Sequence, residues 1–345
     1  MVRKDILSEI KGLLVKNNIF NDIIGQNKVK EQLKSALLMN RHVIIVGPPG
    51  VGKTTLSKNL AKLLPEIDVV EGCPYNCDPN APICPACKGK EVRKAKRIKG
   101  IDRFVRVQGS PDLTAEDLLG DIDPLKALKF GPMSIEAFTP GKIFKANRGI
   151  LFFDEINRCP EKLQNALLQV LEEGKATLSS YYVEIPANFI LIATMNPEDS
   201  STERLSDVFI DRFDIIYMNY PETIDIEKEI VVKNGKKLDV SFSDDLLRFA
   251  VGFVRSLRED ENLEKKPSVR ASIGLYERAQ SNALIKGRKR VKIDDIEDVV
   301  ISVLAHRIRL KPSIRYLQTP EAYIEEAFGR FMQEKKEITE SGGCR

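Results

Sequence analysis

The sequence predicts an α/β domain built on a parallel sheet, followed by a smaller all-helical domain, and three observations carry that prediction. Val43–Val46, Ile150–Phe153 and Phe189–Thr194 are short apolar runs without polar alternation, as suits strands buried on both faces of a parallel sheet. Gly47-Pro-Pro-Gly-Val-Gly-Lys53-Thr54 follows the first run directly, so a strand feeds a helix through a glycine-rich turn. From about Pro221 onward the strand-like runs stop and apolar residues recur at helical spacing. The expected domains are residues 1–220 and 221–345.

Taken in order, residues 1–40 carry helical periodicity interrupted at Ile24-Gly25-Gln26, with Val29, Leu33 and Leu37 on one face of the second segment. A helix is expected from Lys53 to Leu64, ended by Pro65. Leu163, Ala166, Leu167, Val170 and Leu171 repeat at i, i+3, i+4, i+7 and i+8, which reads as a crossover helix stopped by Gly174. Ala176–Ile185 reads as a hairpin closed at Pro186. In the second domain Ser243-Asp-Asp opens a helix through Leu257, and Asp294 with Glu297 forms a capping-box-like start for a helix carrying Val299, Val300, Val303 and Leu304.

At 345 residues with 42% hydrophobic and 30% charged content, the chain describes a soluble globular protein. Its N-terminus offers no secretion signal, and no run approaches the ~18 apolar residues of a membrane span, so a cytoplasmic location without membrane insertion is expected. A net charge of +4 is too small to argue for nucleic acid, and any basic contact surface must be local. Six cysteines in such a chain read as thiols or metal ligands rather than disulfides. His42 and His306 are solitary and read as packed or surface histidines.

The glycine-rich turn suits a triphosphate. Gly47, Gly50 and Gly52 let the backbone curl, with Pro48, Pro49 and Val51 between them, so that successive N–H groups and the next helix's N-terminus face the anion. Lys53 would reach the terminal phosphates, and the Thr54 hydroxyl would complete a magnesium shell beside Thr55. Asp154, Glu155 and Asn196 end the other two apolar runs, and strand ends of an α/β sheet converge on one crevice. There Asp154 is suited to hold magnesium through its water shell, Glu155 to orient or deprotonate an attacking water, and Asn196 to hydrogen-bond that water or the terminal phosphate. Arg212, in Ile210-Asp-Arg-Phe-Asp214, and Arg270, in Pro267-Ser-Val-Arg270, can each neutralise charge on a transferring phosphate. Taken alone, either reads as a surface salt bridge.

Together these residues resemble the AAA+ ATPases, over nearly the whole chain. Phe138-Thr-Pro-Gly141, the stretch from Ala146 to Arg158, Gln164-Asn-Ala-Leu-Leu168, Ala193-Thr-Met-Asn-Pro197 and Asp211-Arg-Phe213 are similar to MoxR-type ATPases and to the motor subunit of magnesium chelatase. The resemblance implies a P-loop AAA+ core with an all-helical lid, a Walker B pair at Asp154 and Glu155, sensor 1 at Asn196, an arginine finger at Arg212 and sensor 2 at Arg270. Arg204 is a second candidate for the finger. It implies two insertions, around Gly109–Gly141 and at the Ala176–Ile185 hairpin. It also implies a homo-oligomeric ring, usually hexameric, whose finger acts on the neighbour's nucleotide. The expected work is magnesium-dependent ATP hydrolysis that remodels or activates a partner protein carrying a von Willebrand factor A domain. A chelatase motor driving metal into a tetrapyrrole and a DNA-associated motor are the alternatives.

Cys73-x3-Cys77-x6-Cys84-x2-Cys87 does not follow from a motor. Four thiolates in a turn-rich insertion at about 71–100 suit a tetrahedral zinc, with an iron–sulfur cluster or free or disulfide-forming cysteines as the alternatives. Val70-Glu-Gly-Cys-Pro74 looks like the same region of magnesium-chelatase motors, in which four cysteines are not a defining feature. Cys159 and Cys344 read as bystanders. The basic stretch Lys88–Lys99 reads as an exposed segment around the knuckle, or as a docking patch for an acidic partner or a nucleic-acid backbone.

Overall fold

The computed structural model describes residues 10–16, 19–132, 134–178, 183–197 and 205–341. Arg204, Cys344 and the tip of the expected hairpin lie outside the described residues. The chain divides into two compact units, Met1–Gly47 with Gly52–Met218, and Pro48–Val51 with Asn219–Arg345.

The first unit opens with α1 (Lys11–Leu14), α2 (Asn27–Leu38), β1 (His42–Val46) and α3 (Lys53–Leu63). A ribbon of β2 (Ile67–Val70) and β3 (Ala95–Ile98) carries between its strands the cysteine segment and its one-turn helix α4 (Pro85–Lys88). Next come β4 (Phe104–Gln108), α5 (Ala115–Leu119), β5 (Gly120–Ile122), α6 (Pro124–Phe130), β6 (Phe138–Pro140), α7 (Lys142–Lys145) and β7 (Gly149–Asp154). The unit continues through α8 (Glu161–Glu173), β8 (Lys175–Leu178), β9 (Val183–Pro186), β10 (Phe189–Met195), α9 (Asp207–Ile210) and β11 (Phe213–Tyr217).

Five strands form one parallel sheet in the order β11-β1-β10-β7-β4. The three central strands are the apolar runs seen in the sequence; β1, β10 and β7 are almost wholly buried. The two edge strands were not expected. An edge strand has a neighbour on one side only, so β4 and β11 tolerate Arg106, Gln108 and Asp214 and lose the continuous apolar signature. Leu151, Phe153, Leu191 and Ala193 pack with Leu163, Leu167 and Val170 of α8 in one core. Gly174 ends α8 at φ 63°, with its N–H donating to the Val170 carbonyl at 2.9 Å, a left-handed cap that glycine adopts without a Cβ penalty.

The second unit holds α10 (Ile224–Asn234), α11 (Asp244–Glu259), β12 (Leu263–Lys265), α12 (Val269–Ile285), α13 (Ile293–Leu304), β13 (Arg309–Leu310), α14 (Pro312–Arg315) and α15 (Pro320–Ser341). Phe253, Leu275, Val300 and Phe328 meet in its core. Strands do not stop at Pro221 as expected: β12 and β13 form a short antiparallel pair, too brief to show periodicity. The helix expected to start at Asp294 starts earlier. Lys292 is its N-cap, and its N–H donates to Asp295 Oδ2 at 2.9 Å, because Asp295, fully buried, is also held by Arg288 and Asn282. Among the described residues no helix is long and apolar enough to cross a membrane.

Candidate functional site at the carboxyl ends of the sheet

The glycine-rich turn is anchored by its neighbours before it curls. Gly47 N–H donates to the Met195 carbonyl at 3.1 Å, and the Val46 carbonyl accepts from Met218 N–H at 2.8 Å. A Cβ on Gly47 would sit 2.0 Å from the Met218 carbonyl oxygen, so no larger residue fits. Gly50 and Gly52 have φ of 77° and 105°, values that glycine adopts freely. Gly52 is the N-cap of α3 and Lys53 its first residue, so the turn ends at a helix N-terminus, where backbone N–H groups favour an anion. Lys53 Nζ donates to the Gly47 carbonyl at 2.5 Å, folding the ammonium back across the loop. Thr54 is half-buried and Thr55 exposed on the same first turn.

Asp154 is the last residue of β7, and Glu155 follows it in the left-handed region at φ 56°, ψ 54°. Such a conformation costs a non-glycine residue on the order of 1–3 kcal/mol and persists where neighbours enforce it. Here Gly109 N–H donates to the Asp154 carbonyl at 2.6 Å. A Cβ on Gly109 would stand 2.0 Å from the Glu155 carbonyl oxygen. The buried Thr194 hydroxyl serves both acidic residues, donating to Asp154 Oδ1 at 2.7 Å and accepting from Glu155 N–H at 2.9 Å. Arg106 Nη2 donates to Asp154 Oδ2 at 2.5 Å and to Gln108 Oε1 at 3.2 Å, while Gln108 Nε2 donates to Glu155 Oε2 at 3.1 Å. Arg158 pairs with Glu155 at 3.2 Å. Asn196 directly follows β10, and its carbonyl accepts from Asn157 Nδ2 at 3.3 Å. Parallel register sets Met195 beside Val46 and Gln108 beside Asp154. The structure therefore brings Gly47, Lys53, Asp154, Glu155 and Asn196 to one end of the sheet.

Thr194, Arg106 and Gln108 were missed by the sequence reading. Thr194 carried the only available signal, a hydroxyl closing an otherwise apolar run; Arg106 and Gln108 belong to the edge strand that periodicity did not reveal.

Arg212 is not brought to that crevice. It precedes β11, whose Phe213 is level with His42, so it lies at the amino ends of the strands. The four steps from Phe213 to Tyr217 separate those ends by about 13 Å. Arg212 donates to the Val208 carbonyl at 2.7 Å and pairs with Glu172 on α8. In the second unit, Arg270 is exposed in the first turn of α12. Burial, then the Arg270 charge, lowers the pKa of Arg307 below the ordinary arginine range.

The four cysteines converge. Their sulfur atoms all lie within 4.8 Å of one another, and Cys73 and Cys84 Sγ are 3.8 Å apart. A tetrahedron with metal–sulfur bonds of ~2.3 Å has sulfur–sulfur edges of about 3.8 Å, so the donor set fits zinc. Backbone N–H groups of Ile83 and Cys84 donate to Cys77 Sγ, both at 3.4 Å. Hydrogen bonding with Cys77 and Cys84 pushes the Cys73 thiol well below its ordinary pKa, whereas mainly the Cys73 hydrogen bond pushes Cys77 up. Arg93 of the basic stretch staples the loop, donating to the Cys87 carbonyl at 2.7 Å and the Pro79 carbonyl at 3.4 Å. Lys94 and Arg97 pair with Glu71 and Glu66. Cys159 is buried in the sheet core. His306 is exposed, and His42 packs beside Phe189 and Phe213, its Nδ1 accepting from Leu191 N–H at 3.0 Å.

Comparison with known proteins agrees with this geometry. The family described as "ATPase family associated with various cellular activities (AAA)" matches residues 86–215, the "AAA lid domain" matches 255–327, and "Magnesium chelatase, subunit ChlI" matches 19–75. The chain is 33% identical to a magnesium-chelatase subunit ChlI homolog of Methanocaldococcus jannaschii, across 91% of this chain and 92% of that one. It is 32% identical to the chloroplastic magnesium-chelatase subunit ChlI-2 of Arabidopsis thaliana, across 85% of this chain and 76% of that one. A solved RuvB from Thermotoga maritima shares the fold, with a TM-score of 0.50 and 19% identity over 85% of this chain and 74% of that one. A glycine-rich turn after β1, a carboxylate pair at the end of β7 and a helical second unit thus occur in a chain that belongs to the AAA+ ATPases of the MoxR and magnesium-chelatase ChlI type, and that hydrolyses ATP.

Proposed function

We propose that this chain is the motor subunit of a homo-oligomeric, hexameric ring that uses ATP to remodel or activate a partner protein. One observation carries the reading: Arg212 lies at the opposite end of the sheet from the crevice that needs its charge, so it serves a nucleotide only if another copy presents that nucleotide to it. In this reading the 47–54 loop cradles ATP and Lys53 neutralises its terminal phosphates. Thr54 would hold the magnesium ion and Asp154 its water shell, and the ion would neutralise charge on the phosphate oxygens. Glu155 polarises the attacking water, Asn196 holds that water or the phosphate, Arg212 reaches across from the neighbouring subunit, and Arg270 reports nucleotide state to the helical unit.

The partner we propose carries a von Willebrand factor A domain on a separate chain. A second reading, favoured by the names of the Methanocaldococcus and Arabidopsis relatives, is a chelatase motor that drives metal into a tetrapyrrole. Of the basic stretch that a DNA-associated motor would use, Arg93 is engaged with the Cys87 and Pro79 carbonyls, whereas Lys94 and Arg97 stay largely exposed in their pairs with Glu71 and Glu66. We further propose zinc at Cys73, Cys77, Cys84 and Cys87, supported by the sulfur spacing, and a cytoplasmic location.

Mixing Arg212→Ala with Glu155→Gln subunits tests the ring. Each variant alone is expected to be inactive, and mixtures to recover partial turnover, because some interfaces then hold both intact groups; mixtures as inactive as their parents would refute the shared site. A Glu155→Gln bait that captures a von Willebrand factor A protein supports the first client reading, and tetrapyrrole-stimulated turnover supports the second.

A further inference from the structure

The Asp154 carboxylate is held by two groups of different character. Thr194, buried within the sheet, fixes Oδ1. Oδ2 is held by Arg106 at 2.5 Å, and the Arg106 side chain is 51% exposed against 16% for Asp154. One anchor is therefore part of the core, while the other is a long side chain able to swing into solvent. Arg106 also touches more than Asp154. A guanidinium Nη carries two hydrogens, and Arg106 Nη2 donates both to Asp154 and to Gln108 Oε1, whose amide in turn donates to Glu155.

We propose that Arg106 is a positioning residue that stands in for the divalent cation at Asp154 and must withdraw when magnesium nucleotide binds. The inference rests on the ATPase reading of the site and concerns this chain's own residues. A carboxylate oxygen that accepts from a guanidinium is a poorer acceptor for a metal-bound water, and a cation added beside an unmoved arginine meets like charge. Withdrawal of Arg106 also removes a donor from Gln108, whose amide holds Glu155 together with Arg158. Arrival of the cation and loosening of the hold on the water-activating carboxylate are thereby linked through one side chain. Without the cation the arginine keeps two adjacent acidic residues, both at the nucleotide crevice, from repelling each other.

The test is equilibrium binding of a fluorescent non-hydrolysable ATP analogue to the full chain, titrated with magnesium from a chelated start. Arg106→Ala is expected to lower the half-saturating magnesium concentration by about tenfold, through removal of the competing charge. Arg106→Gln, which keeps a long polar side chain, should do the same, and Arg106→Lys, which keeps the charge, should stay within about twofold of the parent. A purely structural role would shift melting temperature and leave the magnesium dependence where it was. Parent-like or higher half-saturation in both Arg106→Ala and Arg106→Gln overturns the inference while leaving the nucleotide reading intact. If the parent chain itself binds no analogue with or without magnesium, the nucleotide reading falls and this inference with it.

Discussion

Thr194 shows how much chemistry one hydroxyl can carry. Thr194→Val keeps the shape but leaves Asp154 Oδ1 without its donor and the Glu155 N–H without its acceptor. A buried polar group left unpaired costs about 1–3 kcal/mol. We expect a lower melting temperature and at least about tenfold slower ATP turnover with nucleotide binding retained; turnover equal to the parent's would mean that Asp154 and Glu155 position themselves. Lys53→Ala is expected to abolish binding in a fluorescent-nucleotide titration, and Glu155→Gln to bind normally and turn over nothing. His42 supplies a pH signature. Burial, and then the Arg41 charge, lower its pKa to about 4 from 6.5. The unfolded chain thus takes up a proton near pH 6.5 that the folded chain refuses until about pH 4. This contribution is complete above pH 6.5 and is lost as pH falls, with a slope approaching about 1.4 kcal/mol per pH unit inside that window. Denaturant melts of His42→Gln should show a shallower loss between pH 6.5 and 4 than the parent, and matching slopes would remove the assignment. The glycines and Lys53 were legible in the sequence because the turn they form is local, whereas Thr194 and Arg106 meet Asp154 only through strands that pair across the sheet.

At the scale of elements, the cysteine knuckle bears on the strand that ends in Asp154. Asn76 Nδ2 donates to the Lys145 and Asn147 carbonyls, Asn147 Nδ2 donates to the Tyr75 carbonyl at 2.7 Å, and Arg148 reaches the Asp68 and Asn76 carbonyls. These contacts grip the turn that leads directly into β7. Asn147 Oδ1 also accepts from Asn188 N–H, at the entrance to β10. If zinc closes the knuckle, stripping it with a chelator should lower the melting temperature and raise amide exchange in residues 145–154 more than in α11–α13. Uniform exchange across both regions would show that the knuckle does not brace β7. The spacing of the cysteines was readable because four thiols within fifteen residues need only local turns to converge. Their docking partner was not, since it lies some seventy residues further along.

At the scale of the molecule, the helical unit has its own polar keystone. Glu227, fully buried, accepts two hydrogen bonds from Arg258, one from Arg255 and one from Ser272, joining α10, α11 and α12. Removing one partner of such a buried pair costs about 3–5 kcal/mol. Glu227→Ala should therefore lower the temperature at which the helical unit melts in calorimetry, and a transition unchanged from the parent's would deny the cluster that role. If the ring is the working unit, specific ATP turnover should fall on dilution, and turnover per chain that is independent of concentration would count against it.

The sequence by itself determined the glycine-rich turn between β1 and α3, the buried central strands, the helical second unit and the cysteine set, because each depends on residue chemistry and spacing within one short segment. Tertiary structure alone decided that Thr194 and Arg106 grip Asp154, that two strands with polar residues among apolar ones border the sheet, and that Arg212 lies at the far end of the sheet from its own crevice. Parallel pairing joins segments tens to more than a hundred residues apart, and no local periodicity records which residue ends up beside which.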